Sequence, residues 1–400
     1  MQKWQRNLYV IWIAELLSLV GFSVVFPFLP YYVQELGVTD LEEVEMWSGV
    51  LLTSHAVLMS IFAPIWGSLA DRYGRKLMVE RAMFGGAVIL AAMGFARNVS
   101  QLLVLRALQG CVTGTVAAAT TLVASGTPRE RTGYALGLLQ MAIYGGASVG
   151  PVLGGLLADV FGYRAAFFVT GALLLVSGLL VLFLVEEQFD PPAKEDGAES
   201  GGLWRGLVLV VRSRALLAVF GVQVIMRLGT RIVTPVLPLF IQTLLPAEGR
   251  VASVSGLVTG ISYLASAVAA VVLGRFGDRL GYRRVLLACA AGASLLYAPQ
   301  FFVTAPVQLL VLQSAVGAAM GGTLTTVSAM LAALSPEGRQ GAVYGVESSA
   351  VSAANAVGPM LGAFCAARFG LRSVFLCSAG VFGLAALGVL ALVPSQSQSR

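Results

Sequence analysis

Long apolar runs recur along the chain, each bounded by short polar stretches. Twelve of them begin near residues 8, 46, 77, 99, 131, 164, 213, 251, 285, 306, 339 and 372. A helix that crosses the hydrocarbon core of a bilayer needs roughly 20 apolar residues. Transmembrane strands would show only weak alternation in segments of about ten residues. The pattern therefore predicts an all-α membrane protein with 12 transmembrane helices. The runs on either side of Asn98 and of Thr304 lie closest together, and those polar residues separate them.

Composition agrees with lipid as the main solvent. Hydrophobic residues make up 57% of the 400 and charged residues 12%, with a mean hydropathy of +0.83. A soluble domain carries about 25% charge to build its polar skin. The first run, Leu8 to Val33, follows Lys3 and Arg6 like a secretory leader. It is too long for a signal core, holds Glu15 and lacks a small-x-small cleavage site, so it reads as the first transmembrane helix. Cys111, Cys289, Cys365 and Cys377 lie inside apolar runs without metal-ligand spacing and read as small buried residues.

The net charge of +6 is a topology signal. Threading the runs across a membrane with the N-terminus inside puts 18 of the 26 basic residues on the inner side. Five lie outside (Arg97, Arg164, Arg250, Arg368, Arg372) and three within runs (Arg106, Arg227, Arg231). Cytoplasmic loops carry such an excess of Lys and Arg, so both termini are expected in the cytoplasm. Nucleic acid is not an expected partner.

The chain also repeats itself at an offset of 207 to 208 residues. Gly21, Pro27 and Pro30 recur as Gly229, Pro235 and Pro238. Gly67, Asp71, Arg72 and Gly74 recur as Gly274, Asp278, Arg279 and Gly281. Arg131, Gly133, Gly150, Pro151, Gly162 and Arg164 recur as Arg339, Gly341, Gly358, Pro359, Gly370 and Arg372. Six runs separate equivalent positions, so the halves share one orientation, related by a pseudo-two-fold axis along the membrane normal. The stretch that follows Glu186 is acidic and rich in Pro, Gly and Ser, and reads as a solvated linker. The expected division is a six-helix bundle over 1–186, a cytoplasmic linker over 187–212 and a second bundle over 213–400.

Residues 67 to 76 read G-S-L-A-D-R-Y-G-R-K. Gly67 permits close helix approach and Gly74 a tight turn. Asp71 lies among Arg72, Arg75 and Lys76, at the level where the eleventh helix should begin. A carboxylate at a positive helix N-terminus would latch the inner side shut, with Asp278 and Arg279 as the mirrored device. The loop resembles the signature of the major facilitator superfamily. In the fifth run, Gly146, Gly150, Pro151, Gly154 and Gly155 look like the antiporter motif of drug/proton exporters. Gly21, Pro27 and Pro30 are similar to the proline motif of the twelve-helix drug exporters, and Arg106 with Gln109 and Gly110 to the family's proton-transfer motif. The resemblance spans the whole chain. It implies the facilitator fold, a bacterial inner or plasma membrane, and kinship with multidrug and tetracycline efflux proteins.

Ionisable residues inside the membrane are costly and usually functional. Glu15 has the neutral Gln223 as its repeat equivalent, and Glu347 has Leu139, so each acid belongs to one half only. Both are candidate proton carriers or members of buried ion pairs. Arg106 is replaced by Gln313 in the repeat; it is a proton-coupling residue by resemblance, or an interhelical strut. His55, the single histidine, is a candidate relay or a packed neutral imidazole. Arg227 and Arg231 are four apart and share a helix face. They pair with the two acids, the arrangement favoured here, or they receive an anionic or zwitterionic substrate. The acidic stretch Glu35 to Glu45 is expected to be solvated.

These features favour proton-coupled efflux of drug-like small molecules by rocking-bundle alternating access. The alternative is export of one physiological compound, a lipid or glycolipid, a sugar or a siderophore, of the anionic or zwitterionic character that the arginine pair suggests. With one histidine, no metal-ligand spacing and no phosphate loop, an enzyme is not expected. No cofactor is expected either, the proton gradient being the energy source. The expected partners are substrate, protons and membrane lipids, acting on a monomer.

Overall fold

A computed structural model gives the fold and describes residues 2–25, 27–128, 131–187, 208, 210–246, 249–335 and 340–393. Among these the regular structure is helical. Residue contacts divide the chain into two compact units, Met1–Asp196 with Ala247–Gly260, and Gly197–Pro246 with Ile261–Arg400.

The first unit contains α1 (Lys3–Val24), α2 (Leu29–Glu35), α3 (Leu41–Tyr73), α4 (Arg75–Met93), α5 (Val99–Val112), α6 (Thr115–Gly126), α7 (Thr132–Phe161) and α8 (Tyr163–Leu184). The second contains α9 (Arg214–Val233), α10 (Val236–Leu244), α12 (Tyr282–Tyr297), a 3₁₀ turn (Ala298–Phe302), α13 (Pro306–Leu334), α14 (Gln340–Phe369) and α15 (Ser373–Leu392). Between α10 and α12 in sequence, α11 (Val251–Leu280) contributes its first ten residues to the first unit and the rest to the second. Eleven spans among the described residues are long and apolar enough to cross a membrane. The twelfth expected run is α4, whose first two turns carry Arg75, Lys76, Glu80 and Arg81.

Two helix pairs, α1–α2 and α9–α10, each make one kinked span. Pro30 sits in the first turn of α2, and Pro235 is the N-cap of α10. Proline lacks the N–H that would continue the preceding ladder, so the chain bends there and restarts. The repeat is equally visible at four turns. Gly74 and Gly281 have φ of 102° and 90°, Gly162 and Gly370 of 83° and 87°. At Gly74 and Gly162 ψ is 151° and 160°, a region open essentially to glycine alone.

The outward faces carry large exposed apolar side chains, among them Phe183, Leu295 and Phe302 at 74–75% exposure. Such a surface suits lipid and not water. Inside, hydroxyls turn back on their own helices, as Ser48 does to Val44, Thr170 to Ala166 and Ser177 to Leu173. This satisfies polar atoms where no water is present to do so.

Candidate functional site

Within the first unit, α1 places Leu8, Ile11 and Ala14 in a buried apolar cluster with Met83 of α4 and Leu139 of α7. Glu15 follows Ala14 with no exposed surface, and neither carboxylate oxygen has a hydrogen-bond partner. The second unit treats its acid differently. Gln223 of α9, at the position equivalent to Glu15, donates from Nε2 to Glu347 Oε1 of α14 at 2.6 Å. Glu347 is equivalent to Leu139, whose side chain can offer Glu15 no such bond. One acid is therefore held by an amide and the other is left without a donor.

Glu15 thus departs from the expected pairing of both acids with arginines. Arg231 of α9 donates from Nε to Asn355 Oδ1 of α14 at 2.7 Å. Arg227 lies one turn earlier and is half-buried, its carbonyl accepting from the Thr230 hydroxyl at 2.7 Å. That Asn355 would meet Arg231 is not legible in the sequence, because facing helices must be known first.

Around Arg106 the first unit is irregular. Gly114, with φ 131°, interrupts the fourth span between α5 and α6. The equivalent α13 runs through unbroken, its Gly321 pressed on the Ser266 carbonyl. Arg106 is 3% exposed; its Nη1 donates to Gln109 Oε1 at 2.9 Å, while Nε and Nη2 find no acceptor. His55 of α3 lies beside Arg106, its Nδ1 without a partner. Gly110 makes the approach possible, since a Cβ there would stand 2.4 Å from the His55 carbonyl oxygen. In the second unit Ser262 and Gln313 replace this pair, and Ser262 Oγ donates to the Gln313 carbonyl at 2.9 Å. A buried cation with spare donors beside a broken helix is a polar site in an apolar setting, where interrupted helices mark ligand or ion positions.

The glycines of α7 lie against backbone. A Cβ on Gly146 would be 2.6 Å from Leu19 Cβ, one on Gly150 2.5 Å from the Val20 carbonyl, and one on Gly154 2.2 Å from the Val24 carbonyl. The repeat does the same with α14 on α9, where a Cβ on Gly358 would clash with Arg231 Cβ and one on Gly362 with the Ile232 carbonyl. Gly155 faces elsewhere, where an added Cβ would clash with the Ala252 carbonyl, and a Cβ on Gly256 would clash equally with the Pro151 carbonyl. Gly21 makes ordinary contact with Thr170, whereas among the described residues no atom lies within 4 Å of a Cβ on Gly67.

Carboxylates cap helix starts at both ends of this unit, and the sequence had marked neither. Asp159, near the end of α7, accepts from Ala252 N at 3.2 Å and Ser253 N at 2.7 Å in the first turn of α11. Glu187 accepts from Arg75 N at 2.9 Å and Lys76 N at 2.8 Å, so it caps α4 at the signature loop. Lys76 Nζ reaches the Leu182 carbonyl at 2.9 Å, and Arg72 stacks 5.3 Å over Tyr73. Glu186 pairs with Arg6 at 2.6 Å, and that guanidinium, with Lys3 beside it, holds its carboxyl below the usual range. Glu186 and Glu187 are thus tied to the first unit, and residues 188–207 of the expected linker lie outside the described residues. The side chains of Asp71 and Asp278 lie outside the described residues, while Arg279 is exposed at the end of α11. Glu45 also departs from expectation: it is not solvated but 3% exposed on α3, with one oxygen lacking a partner.

Comparison with known proteins bears on the whole chain. The sequence profile of the Major Facilitator Superfamily matches residues 11–246 and 219–400. The multidrug resistance protein MdtG of Escherichia coli (strain K12 / DH10B) is 37% identical over 379 residues, 94% of this chain and 92% of that protein. MdtG of Klebsiella pneumoniae (strain 342) is 37% identical over 378 residues, covering 94% and 91%. A solved bacterial homologue of the human lysosomal transporter Spinster has a TM-score of 0.80 at 13% identity, over 98% of this chain and 97% of that one. The nucleoside transporter NupG gives 0.75 at 15% identity, over 98% and 100%. At these identities the structural likeness concerns the fold alone.

Proposed function

The chain belongs to the Major Facilitator Superfamily, and from that premise we propose that it exports drug-like small molecules in exchange for protons. As a superfamily member it is a multi-pass membrane transporter and not an enzyme. Two relatives named multidrug resistance protein, alike over nearly their full length, support drugs as the substrate class. The antiporter-like glycines of α7 support the direction of transport.

Glu15 carries the proton-coupling part of the reading. A carboxylate without a partner in an apolar interior loses several kcal/mol of solvation that nothing returns. The protonated acid is neutral and rests there at far lower cost. A cycle that opens Glu15 first to the outside and then to the cytoplasm loads a proton where protons are abundant and releases it where they are scarce. Glu347 is the weaker candidate because Gln223 already donates to it. Arg106 and His55 form the polar neighbourhood through which a proton would be passed or its charge balanced. Rocking of the two six-helix halves, 1–186 and 213–400 joined by the 187–212 linker, provides the alternating exposure. Asp71 and Asp278 serve as inner latches in this scheme. The basic residues orient the protein in the cell membrane with both termini cytoplasmic, and no cofactor takes part.

A second reading rests on Arg227 and Arg231. Their shared face on α9 suits an anionic or zwitterionic physiological substrate, with Asn355 orienting the Arg231 guanidinium. Inverted membrane vesicles test both. Proton-driven export predicts that cationic drugs accumulate only with an acid interior and leak out when a protonophore is added. Equal accumulation without a pH gradient would refute coupling, and accumulation of anions alone would favour the second reading.

A further inference from the structure

The four cysteines do not share one environment, and two of them meet. Cys289 is buried and Cys111 half-buried, whereas Cys365 is half-buried and Cys377 exposed. Cys365 lies in the last turn and a half of α14 and Cys377 in the second turn of α15. Both are six positions from Leu371 in the connecting turn, so an antiparallel reversal brings them to the same depth. Gly370, with φ 87°, makes that reversal, and the Ser373 hydroxyl closes it by donating to the Gly370 carbonyl at 2.6 Å. The Cys365 and Cys377 sulfurs stand 2.9 Å apart, with Ser373 Oγ at 3.9 Å from Cys365 Sγ. The repeat has Leu157 and Val169 at the equivalent positions, so the thiol pair is not a requirement of the architecture.

We propose that Cys365 and Cys377 are a modification site: a dithiol at the outer ends of α14 and α15 that closes to a disulfide by exchange with a disulfide oxidant outside the cell. Its location in an oxidising compartment rests on the orientation proposed above. The more exposed Cys377, as thiolate, attacks one sulfur of the oxidant and releases the other as a thiol, leaving a mixed disulfide. Cys365, as thiolate, then attacks the Cys377 sulfur and expels the second half of the oxidant. Two protein thiols and one oxidant disulfide thus become one protein disulfide and two small thiols, with the two protons carried off on the leaving groups. The product ties the outer end of α14, which packs on α9 through Gly358 and Gly362, covalently to α15. It is reversible by an added thiol.

Dithiodipyridine, a membrane-permeant disulfide, tests the site on the purified full chain in liposomes. A solitary thiol keeps a thiopyridyl adduct, whereas a neighbouring thiol expels it. Mass spectrometry of peptides should find Cys365 and Cys377 linked, without adduct and two hydrogens lighter, and restored by reductant. Cys365→Ser should leave the adduct on Cys377, and Cys377→Ser should leave it on Cys365. Adducts on both cysteines of the wild type, or two unmodified thiols, would overturn the proposal. Sealed cells treated first with an impermeant charged maleimide separate the site from its orientation. Blocking from outside supports the proposal as stated; blocking only in inverted vesicles overturns the orientation and the outer oxidant, although the linked peptides would still establish the dithiol.

Discussion

Gly154→Ala puts a methyl group where the Val24 carbonyl oxygen is 2.2 Å away. An unstrained contact needs about 3.2 Å, so α1 and α7 must separate by about 1 Å over their tightest stretch. Overpacking of this kind costs about 1–3 kcal/mol, and it outweighs the gain of up to about 1 kcal/mol from replacing a helical glycine by alanine. Gly67→Ala is the matched control, because among the described residues no atom lies within 4 Å of its new Cβ and only the helix gain remains. The two variants, each in a single long helix, should therefore shift stability in opposite directions. Thermal unfolding in detergent should show a midpoint lowered by several degrees for Gly154→Ala and unchanged or slightly raised for Gly67→Ala, at about 2–4 °C per kcal/mol. A Gly154→Ala protein as stable as wild type would refute the close backbone contact assigned to this glycine.

Three further outcomes are expected. Asp159→Asn keeps an acceptor but loses the charge facing the start of α11, a change worth about 1 kcal/mol; the amides of Ala252 and Ser253 should exchange roughly fivefold faster, and unchanged protection would count against the cap. Arg231→Ala should weaken binding of anionic compounds by about tenfold, or 1.4 kcal/mol, and leave lipophilic cations unaffected; an equal loss for every compound would remove the second reading. The Glu186 carboxyl is held below its ordinary value by Arg6, so its contribution is present at neutral pH and lost as pH falls through the lowered value. Protection of the Glu186 amide, which donates to Asn7 Oδ1 at 3.1 Å, should fall only in acid, below the ordinary carboxylate range; loss of protection already near neutral pH would contradict the ion pair.

What could be read from the sequence was what a single segment dictates. Run length gave the spans, and the recurring glycines and prolines gave the turns at Gly74, Gly162, Gly281 and Gly370 and the kinks at Pro30 and Pro235, because each meets a backbone demand of its own. Glu15 was conspicuous as an acid within an apolar run. Its isolation was not, since that depends on Leu139 across the interface, although the repeat already matched Glu15 with Gln223 and Leu139 with Glu347. Asp159 and Glu187 carried no signal of their own and Glu45 read as solvated, because a carboxylate near a segment end looks the same whether it caps another helix, is buried or meets water. The thiol pair needed the register across a turn, and its equal spacing about Leu371 was the one available clue. The Arg231–Asn355 bond was not legible, because a neutral amide in an apolar run carries no charge that marks it as a partner for an arginine.

Uphill transport by Glu15→Gln tests the central claim most directly. Wild-type protein and the variant are reconstituted in liposomes, a pH gradient is imposed, and accumulation of a transported drug is followed beside its passive exchange. Glutamine preserves the shape and cannot alternate between charged and neutral forms. Loss of gradient-driven accumulation with exchange retained is the expected result. Wild-type accumulation by Glu15→Gln would contradict Glu15 as the proton carrier.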